Sequence, residues 1–347
     1  METVKNILVT GGGAPGAPGI LKAILESNKD ITLFSCDIQE HTAGKLLAHQ
    51  YFTVPAGDSP EYIDSFLQKC IEHQIDIVLP ITTRELIPLA RNKALFAKNN
   101  IRIIVSNEQS LAIANNKGEL YNHLKINQIP TPKFSIATTY QEYKNAANPY
   151  LASNETFIIK PCIANGSRGF RIVTDDVEES DLLFNYKPNS TYIKPEKLND
   201  ILQSDPFPPL LVSEYMPGAE YTIDCLIVEG VIKFIIPRLR KTMNNGISVA
   251  GTIEQNVEII KYCEAILNSL DLEGPIGIQV KYDASGKPLL LEINPRIQGT
   301  TVALCGAGLN IAAIVVQPNM VSDTKNINDY PIRWGTKFIR HYTELYY

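Results

Sequence analysis

The sequence predicts a mixed fold, an α/β domain at the front and an α+β region behind it. Three observations carry that expectation. Over the first hundred or so residues, strand-like apolar runs alternate with helical patterns, as in a parallel sheet covered on both faces. After Ser106 the alternation stops, and strands and helices follow in a less regular order. Near the end, Gln279 to Arg296 reads QVKYDASGKPLLLEINPR, two period-two runs around turn residues, which is a β-hairpin. A chain of 347 residues suits two or three domains, expected at 1–112, 113–190 and 191–347.

In the first domain, strands are expected at Asn6–Thr10, Ile31–Cys36, Ile75–Leu79 and Ile101–Val105, with the first run beginning near Val4. Helices are expected at Gly19–Ser27, Glu61–His73 and Arg84–Lys98. Parallel sheets of this kind bind ligands in the loops after their strands. Here those loops are Gly11–Gly16, the region of Asp37, and Pro80–Glu85. Gly11-Gly12-Gly13-Ala14-Pro15-Gly16 satisfies G-x-G-x-x-G, and Asp37 follows at roughly the ~20-residue separation of a dinucleotide fingerprint. Pro15 and Pro18 remove N–H donors that a pyrophosphate cradle uses, so a plain strand-to-helix turn is the favoured alternative.

In the second region, a helix is expected at Lys117–Asn127, a strand near Lys133–Ala137, a helix near Tyr140–Ala147, and strands at Thr156–Lys160 and Phe170–Val173. Lys160 ends a strand and opens into the loop Ala164-Asn165-Gly166-Ser167-Arg168-Gly169. A lysine so placed can reach phosphates while loop amides close over them. Lys117 offers a second such contact. Taken alone, a solvated lysine before a surface loop is the commoner reading of Lys160, and Lys117 reads also as a plain surface residue. Residues from about 185 to 209 read as a connection holding one short helix.

The third region is expected to open with strands at Leu210–Tyr215, Tyr221–Val228 and Ile232–Pro237. Helices at Ile253–Leu270 and Ala307–Val316 flank the hairpin. Glu214, Tyr215, Met216 and, past a Pro-Gly turn, Glu220 have the pattern of a nucleotide hinge. Backbone groups would meet a base edge, and Glu220 would accept from ribose hydroxyls. A turn with solvated acids is the alternative. Arg238 and Arg240, before a Gly/Ser/Thr loop, suit a carboxylate or a transferred phosphate. In the hairpin, Glu292 and Asn294 share a face by strand alternation. A two-residue turn at Ser285-Gly286 would set Gln279 opposite Glu292. One carboxylate and two amide oxygens suit Mg²⁺, and Arg296 could grip a phosphate. Spacing alone leaves a solvated hairpin equally open.

The composition narrows the function class. A net charge of −5 gives no reason to expect nucleic acid or an anionic membrane as partner. Six cysteines without a C-x-x-C pair suit a reducing compartment. With no signal-peptide pattern and no bilayer-length apolar run, the expectation is a cytoplasmic enzyme. No Ser-His-Asp or Cys-His spacing stands out among five scattered histidines.

The hinge Glu214–Asp224, the run Glu292-Ile293-Asn294-Pro295-Arg296 and Gln279 upstream resemble, in that order, the ATP-grasp superfamily. The resemblance covers nearly the whole chain. It is to single-unit enzymes similar to the carbamoyl-phosphate synthase large subunit. It implies a Rossmann-like preceding domain followed by a two-subdomain ATP-grasp fold. It also implies that Lys117 and Lys160 contact ATP phosphates, that the loop at Gly166 covers them, and that Glu214, Tyr215, Met216 and Glu220 bind the nucleoside. Gln279, Glu292 and Asn294 would hold Mg²⁺, with Mn²⁺ as a substitute. Arg296 would bind the transferring phosphate, with Lys160, Arg238 and Arg240 also at the reacting groups. Gly11–Gly16 and Thr82–Glu85 would then line the acceptor side. The implied reaction activates a small carboxylate as an acyl phosphate and joins it to an amine, and a homodimer is the implied assembly. One unit is present rather than two, which argues against de novo carbamoyl phosphate synthesis by this sequence alone. Carboxyphosphate or carbamoyl phosphate formation, a nicotinamide-dependent oxidoreductase on Gly11–Gly16, and a non-catalytic nucleotide-binding module are the competing expectations.

Overall fold

The computed structural model describes residues 5–164, 166, 168–178, 180, 191–244, 246–316 and 331–347. Asn165 and Ser167 of the expected phosphate loop, the start of the 185–209 connection, the boundary at 190 and the Val4 end of the first strand lie outside those residues.

The strands form three sheets. The first contains β1 (Asn6–Val9), β2 (Thr32–Asp37), β3 (Gln50–Thr53), β4 (Ile77–Leu79) and β5 (Arg102–Ile103), in the order β3-β2-β1-β4-β5. Every pair in it is parallel, as the alternation with helices requires. Both faces are apolar because both are covered. Ile7, Val9, Leu33, Ile77 and Leu79 enter one core, and Leu8, Phe34, Cys36, Val78 and Ile103 enter the other. The chain runs outward from β1 to β2 and β3, then returns to β4 on the other side. The switch point therefore falls between β1 and β4.

Three helices sit close to expectation, α1 (Ala17–Ser27), α3 (Tyr62–Glu72) and α7 (Lys117–Ile126), the last preceded by α6 (Glu108–Asn115), which was not expected. A short helix, α2 (Ala43–Leu47), and β3 escaped the sequence reading because each is too short to display a period. The single helix expected over Arg84–Lys98 is two, α4 (Leu86–Arg91) and α5 (Lys93–Ala97). Asn92 breaks it, its side chain folding back on the Pro88 carbonyl.

The second sheet contains β6 (Phe134–Ala137), β7 (Phe157–Pro161), β8 (Arg171–Val173), β9 (Tyr192–Ile193) and β10 (Leu210–Glu214), in the order β6-β10-β7-β8-β9. The strand at Leu210 was expected to open the third region. Instead it inserts antiparallel between β6 and β7. The third sheet contains β11 (Glu220–Val228), β12 (Val231–Asn244), β13 (Ile247–Ile253), β14 (Gly274–Tyr282), β15 (Pro288–Asn294) and β16 (Lys337–Ile339), in the order β15-β14-β11-β12-β13-β16. The helix expected from Ile253 begins at Val257, because Ile253 ends β13 and the Asn256 side chain caps the Ile259 amide. The helix expected at Ala307–Val316 is a 3-10 turn over Thr301–Ala307, a left-handed Gly308, and an α-helix at Ile311–Val316.

The chain divides into two compact units. One comprises 1–112, 221–279 and 293–347, and the other 113–220 and 280–292. Among the described residues no helix is long and apolar enough to cross a membrane, and all six cysteines are free.

Candidate active site

The second unit carries the two lysines. Asn116 caps α7, accepting from the Gly118 and Glu119 amides, and this fixes Lys117 at the helix start. Lys117 is nearly buried. Its ammonium donates to the Ala164 carbonyl at 3.0 Å and lies 3.5 Å from the Glu292 carboxylate. Lys160 is the penultimate residue of β7, also nearly buried, and donates to the Leu291 carbonyl at 2.9 Å. Its ammonium lies 5.4 Å from the Tyr121 ring centroid. Burial is the main influence on its pKa and lowers it to about 8; the Glu292 charge opposes this and the Lys117 charge adds to it. The structure thus gathers Lys117, Lys160 and Glu292, which are far apart in sequence.

Tyr121 is the residue that sequence reasoning missed here. Its hydroxyl donates to the Leu290 carbonyl at 2.6 Å and fastens α7 to β15. One signal was available: Tyr121 lies four residues after Lys117, on the same helix face.

The hinge residues lie in the same unit. Glu214 ends β10, and its carboxylate accepts from the Lys133 amide at 2.7 Å. Met216 is buried, and the Lys281 ammonium stands 5.3 Å from the Tyr215 ring centroid. The Pro217-Gly218 turn joins the hairpin through Gly218 N–H to Tyr282 O and Tyr282 N–H to Ala219 O, both 3.0 Å. Glu220 opens β11 half-buried. Gly166 has a left-handed φ of 64° in the loop after β7.

The hairpin turn differs from expectation. Asp283 N–H donates to Lys287 O at 2.9 Å, and Gly286 N–H donates to Asp283 O at 3.2 Å, so the loop is three residues, 284–286. Gly286 takes the left-handed position that such a turn demands, φ 81°. The Asp283 carboxylate accepts from the Ser285 and Lys287 amides. Those hydrogen bonds favour its charged form and hold its pKa below the usual carboxylate value. The two-residue turn that would have set Gln279 opposite Glu292 is absent. Glu292 and Asn294 still alternate with buried Ile293 on β15.

The first unit carries the arginines. Gln279 Oε1 accepts from Arg240 at 3.2 Å, and Arg240 also holds the Ser248 hydroxyl. The register of β12 against β13 shifts just past Arg240, a bulge of the kind that re-aims a side chain. Arg296 donates to Asn294 Oδ1 at 3.4 Å and to the Thr83 hydroxyl at 3.2 Å. Arg238 is placed differently. It is 1% exposed, 2.5 Å from Asp224, and bonded to Thr300. Asp224 in turn accepts from Thr301 at 2.5 Å, so this ion pair anchors the chain just past Arg296. Thr300 carried no sequence signal beyond its polarity, and Asp224 entered only as the end of the hinge run.

Three amides of the glycine-rich loop are engaged within the protein. Gly12 N–H goes to Cys36 O, Gly13 N–H to the Asp37 carboxylate, and Ala14 N–H to Gly11 O. Asp37, the acid that completes the fingerprint, is thus already engaged by an amide of the loop.

The family model described as "ATP-grasp in the biosynthetic pathway with Ter operon" matches residues 206–337, and that described as "PylC-like, N-terminal domain" matches residues 7–104. The carbamoyl phosphate synthase large chain of Thermoanaerobacter sp. (strain X514) is 25% identical over 233 residues, 63% of this chain. The chain spans about a fifth of the length of that curated relative, 20%. Among solved structures, the ADP complex of N5-carboxyaminoimidazole ribonucleotide synthetase superposes with a TM-score of 0.68 at 14% identity, covering 91% of this chain and 77% of the other. The L-amino acid ligase from Bacillus licheniformis gives 0.68 at 16% identity, covering 97% and 79%. These structural likenesses are likenesses of fold.

Proposed function

Because this chain carries an ATP-grasp domain behind a PylC-like N-terminal domain, we propose that it is an ATP- and Mg²⁺-dependent carboxylate–amine ligase that releases ADP and phosphate. The observation that carries the reading is the pair of nearly buried ammonium groups, Lys117 and Lys160, held beside the Glu292 carboxylate. Two like charges kept together out of water suit a polyanion, and ATP phosphates are the polyanion of this family.

A carboxylate is a poor electrophile because its leaving group would be oxide. In the proposed reaction a carboxylate oxygen attacks the γ-phosphorus and ADP leaves. The amine nitrogen then attacks the acyl carbon, phosphate leaves with the bonding pair, and the amine loses a proton to solvent. Lys117, Lys160 and Arg296 neutralise the phosphates and hold them in line. Arg240 faces the acid being activated. Arg238 acts by anchoring the chain after Arg296 rather than by touching substrate. Glu214, the Tyr215 and Met216 backbone, and Glu220 receive the nucleoside.

The residue types of Gln279, Glu292 and Asn294 suit a hard cation. They offer one carboxylate and two amide oxygens, and each of these oxygens already faces a protein cation, Arg240, Lys117 and Arg296 respectively. When bound, Mg²⁺, or Mn²⁺ in its place, supplies Lewis-acid neutralisation of phosphate oxygens. The nicotinamide reading loses its support, because the loop amides and Asp37 are already engaged.

An acceptor screen with Mg·ATP, following ADP, AMP and phosphate, tests the proposal. Acid- and amine-dependent ADP is the expected result, with loss of turnover in Glu292→Gln while the fold is retained. AMP formation sinks the acyl-phosphate route, and full activity in Glu292→Gln removes the metal role. ADP release with bicarbonate and no organic acid would assign the carboxyphosphate reaction instead.

A further inference from the structure

Glu85 is a buried acid that the reading above leaves without a role. It is 4% exposed, and among the described residues no ion pair joins it to a cation. Its charge is met by hydrogen bonds alone. Oε1 accepts from the Thr10 hydroxyl at 2.6 Å, the Thr82 amide at 2.9 Å and the Thr82 hydroxyl at 2.8 Å. Oε2 accepts from the Tyr62 hydroxyl at 3.0 Å. Burial raises its pKa, and these donors pull the other way. For folding alone this is an expensive arrangement, since a buried carboxylate without a cation is disfavoured and an apolar residue would fill the space.

The placement of the donors suggests what the acid is for. Thr10 directly follows β1, and Thr82 lies just past β4, so the carboxylate ties together the two loops at the switch point of the parallel sheet. Ile81 N–H donates to the Thr10 hydroxyl at 3.1 Å, a second tie between the same loops. They touch closely: a Cβ on Gly11, whose φ is 61°, would lie 2.4 Å from the Thr82 methyl. The residue after Thr82 is Thr83, and its hydroxyl accepts from Arg296 Nε at 3.2 Å. A path thus runs from Glu85 by hydrogen bonds to Thr82, along the backbone to Thr83, and by a hydrogen bond to the guanidinium after the hairpin.

We propose that Glu85 is a positioning residue for phosphoryl transfer: it sets the Thr82–Thr83 loop that holds Arg296 at its working angle. The inference rests on the ligase reading and deepens it by assigning the second loop of the switch point to the phosphate rather than to the acceptor alone. An arginine grips a phosphate through a planar fork, so rotation about its Nε costs alignment before it costs affinity. Perturbing Glu85 therefore lowers kcat and leaves KM for ATP in place.

The test uses Glu85→Val, Glu85→Gln, Thr83→Val and the double variant Glu85→Val/Thr83→Val. Two readouts are taken: steady-state kinetics, and calorimetric affinities for Mg·ADP and the Mg complex of a non-hydrolysable ATP analogue, which differ by the γ-phosphate. Glu85→Val and Thr83→Val each lower kcat by about tenfold or more with KM for ATP unchanged. The double variant falls no further than the worse single one. Glu85→Gln keeps an oxygen for Thr10 and Thr82, and its amide meets a Tyr62 hydroxyl able to accept, so it retains kcat within about threefold. In both Val variants the analogue keeps its advantage over ADP, because alignment rather than affinity is lost. Thr83→Val lies outside the core, so its result stands even where Glu85→Val fails to fold. Wild-type kcat in Thr83→Val, or effects that multiply in the double variant, overturn the inference while the ligase reading stands. A wild-type protein with no turnover and no preference for the γ-phosphate overturns the role of Arg296 and this inference with it.

Discussion

Raising the pH discharges Lys160 before an ordinary lysine. Its pKa falls from 10.5 to about 8, mainly because the ammonium is buried beside Tyr121 and the Leu291 carbonyl. At about 1.4 kcal/mol per pH unit, that gap corresponds to a penalty of ~3 kcal/mol for keeping the group charged in the folded protein. Below pH 8 both folded and unfolded chains carry the proton, and the full penalty is present. Between about 8 and 10.5 the folded lysine is neutral while the unfolded one keeps its proton, so stability contributed by this group rises with pH. Nucleotide binding runs the other way. Phosphates need the ammonium, so affinity for Mg·ATP falls as pH passes 8, by up to about tenfold per unit. Calorimetry from about pH 7 to 9.5, alongside urea unfolding at the same values, reads both slopes. Lys160→Met removes both. An affinity flat to pH 9.5, or the same fall in Lys160→Met, refutes the reasoning.

Two further outcomes follow from the contacts. Asp224→Asn leaves the Arg238 guanidinium buried without its counter-charge and costs about 3–5 kcal/mol in urea unfolding; a loss below ~1 kcal/mol would mean that the pair does not anchor the chain past Arg296. Tyr121→Phe removes the hydroxyl that ties α7 to the Leu290 carbonyl and costs about 1 kcal/mol, readable as a lower urea midpoint at unchanged slope.

The parallel sheet was legible because its central strands β1 and β4 are apolar and its longer helices show their period, as Ile7–Val9 and Tyr62–Glu72 illustrate. The order of the motifs pointed to the superfamily, which the family matches bear out. What stayed hidden was decided by distance along the chain. Lys160 meets Leu291 across 131 residues and Glu85 meets Thr10 across 75, and neither partner carries a local pattern. Arg238 reads as a basic residue near a loop. Its burial depends on Asp224, and only strand pairing reveals that. The hairpin turn was misread by one residue because Asp283 accepts from both Ser285 and Lys287, and this favours a three-residue loop over the shorter turn that Ser-Gly suggests.

The central claim is that the acid is activated by phosphate rather than by a nucleotide. Labelling both oxygens of the accepted carboxylate with ¹⁸O and analysing the products by mass spectrometry tests it directly. The account predicts one labelled oxygen in the released inorganic phosphate and none in the nucleotide. Label in AMP, or phosphate without label, would contradict it.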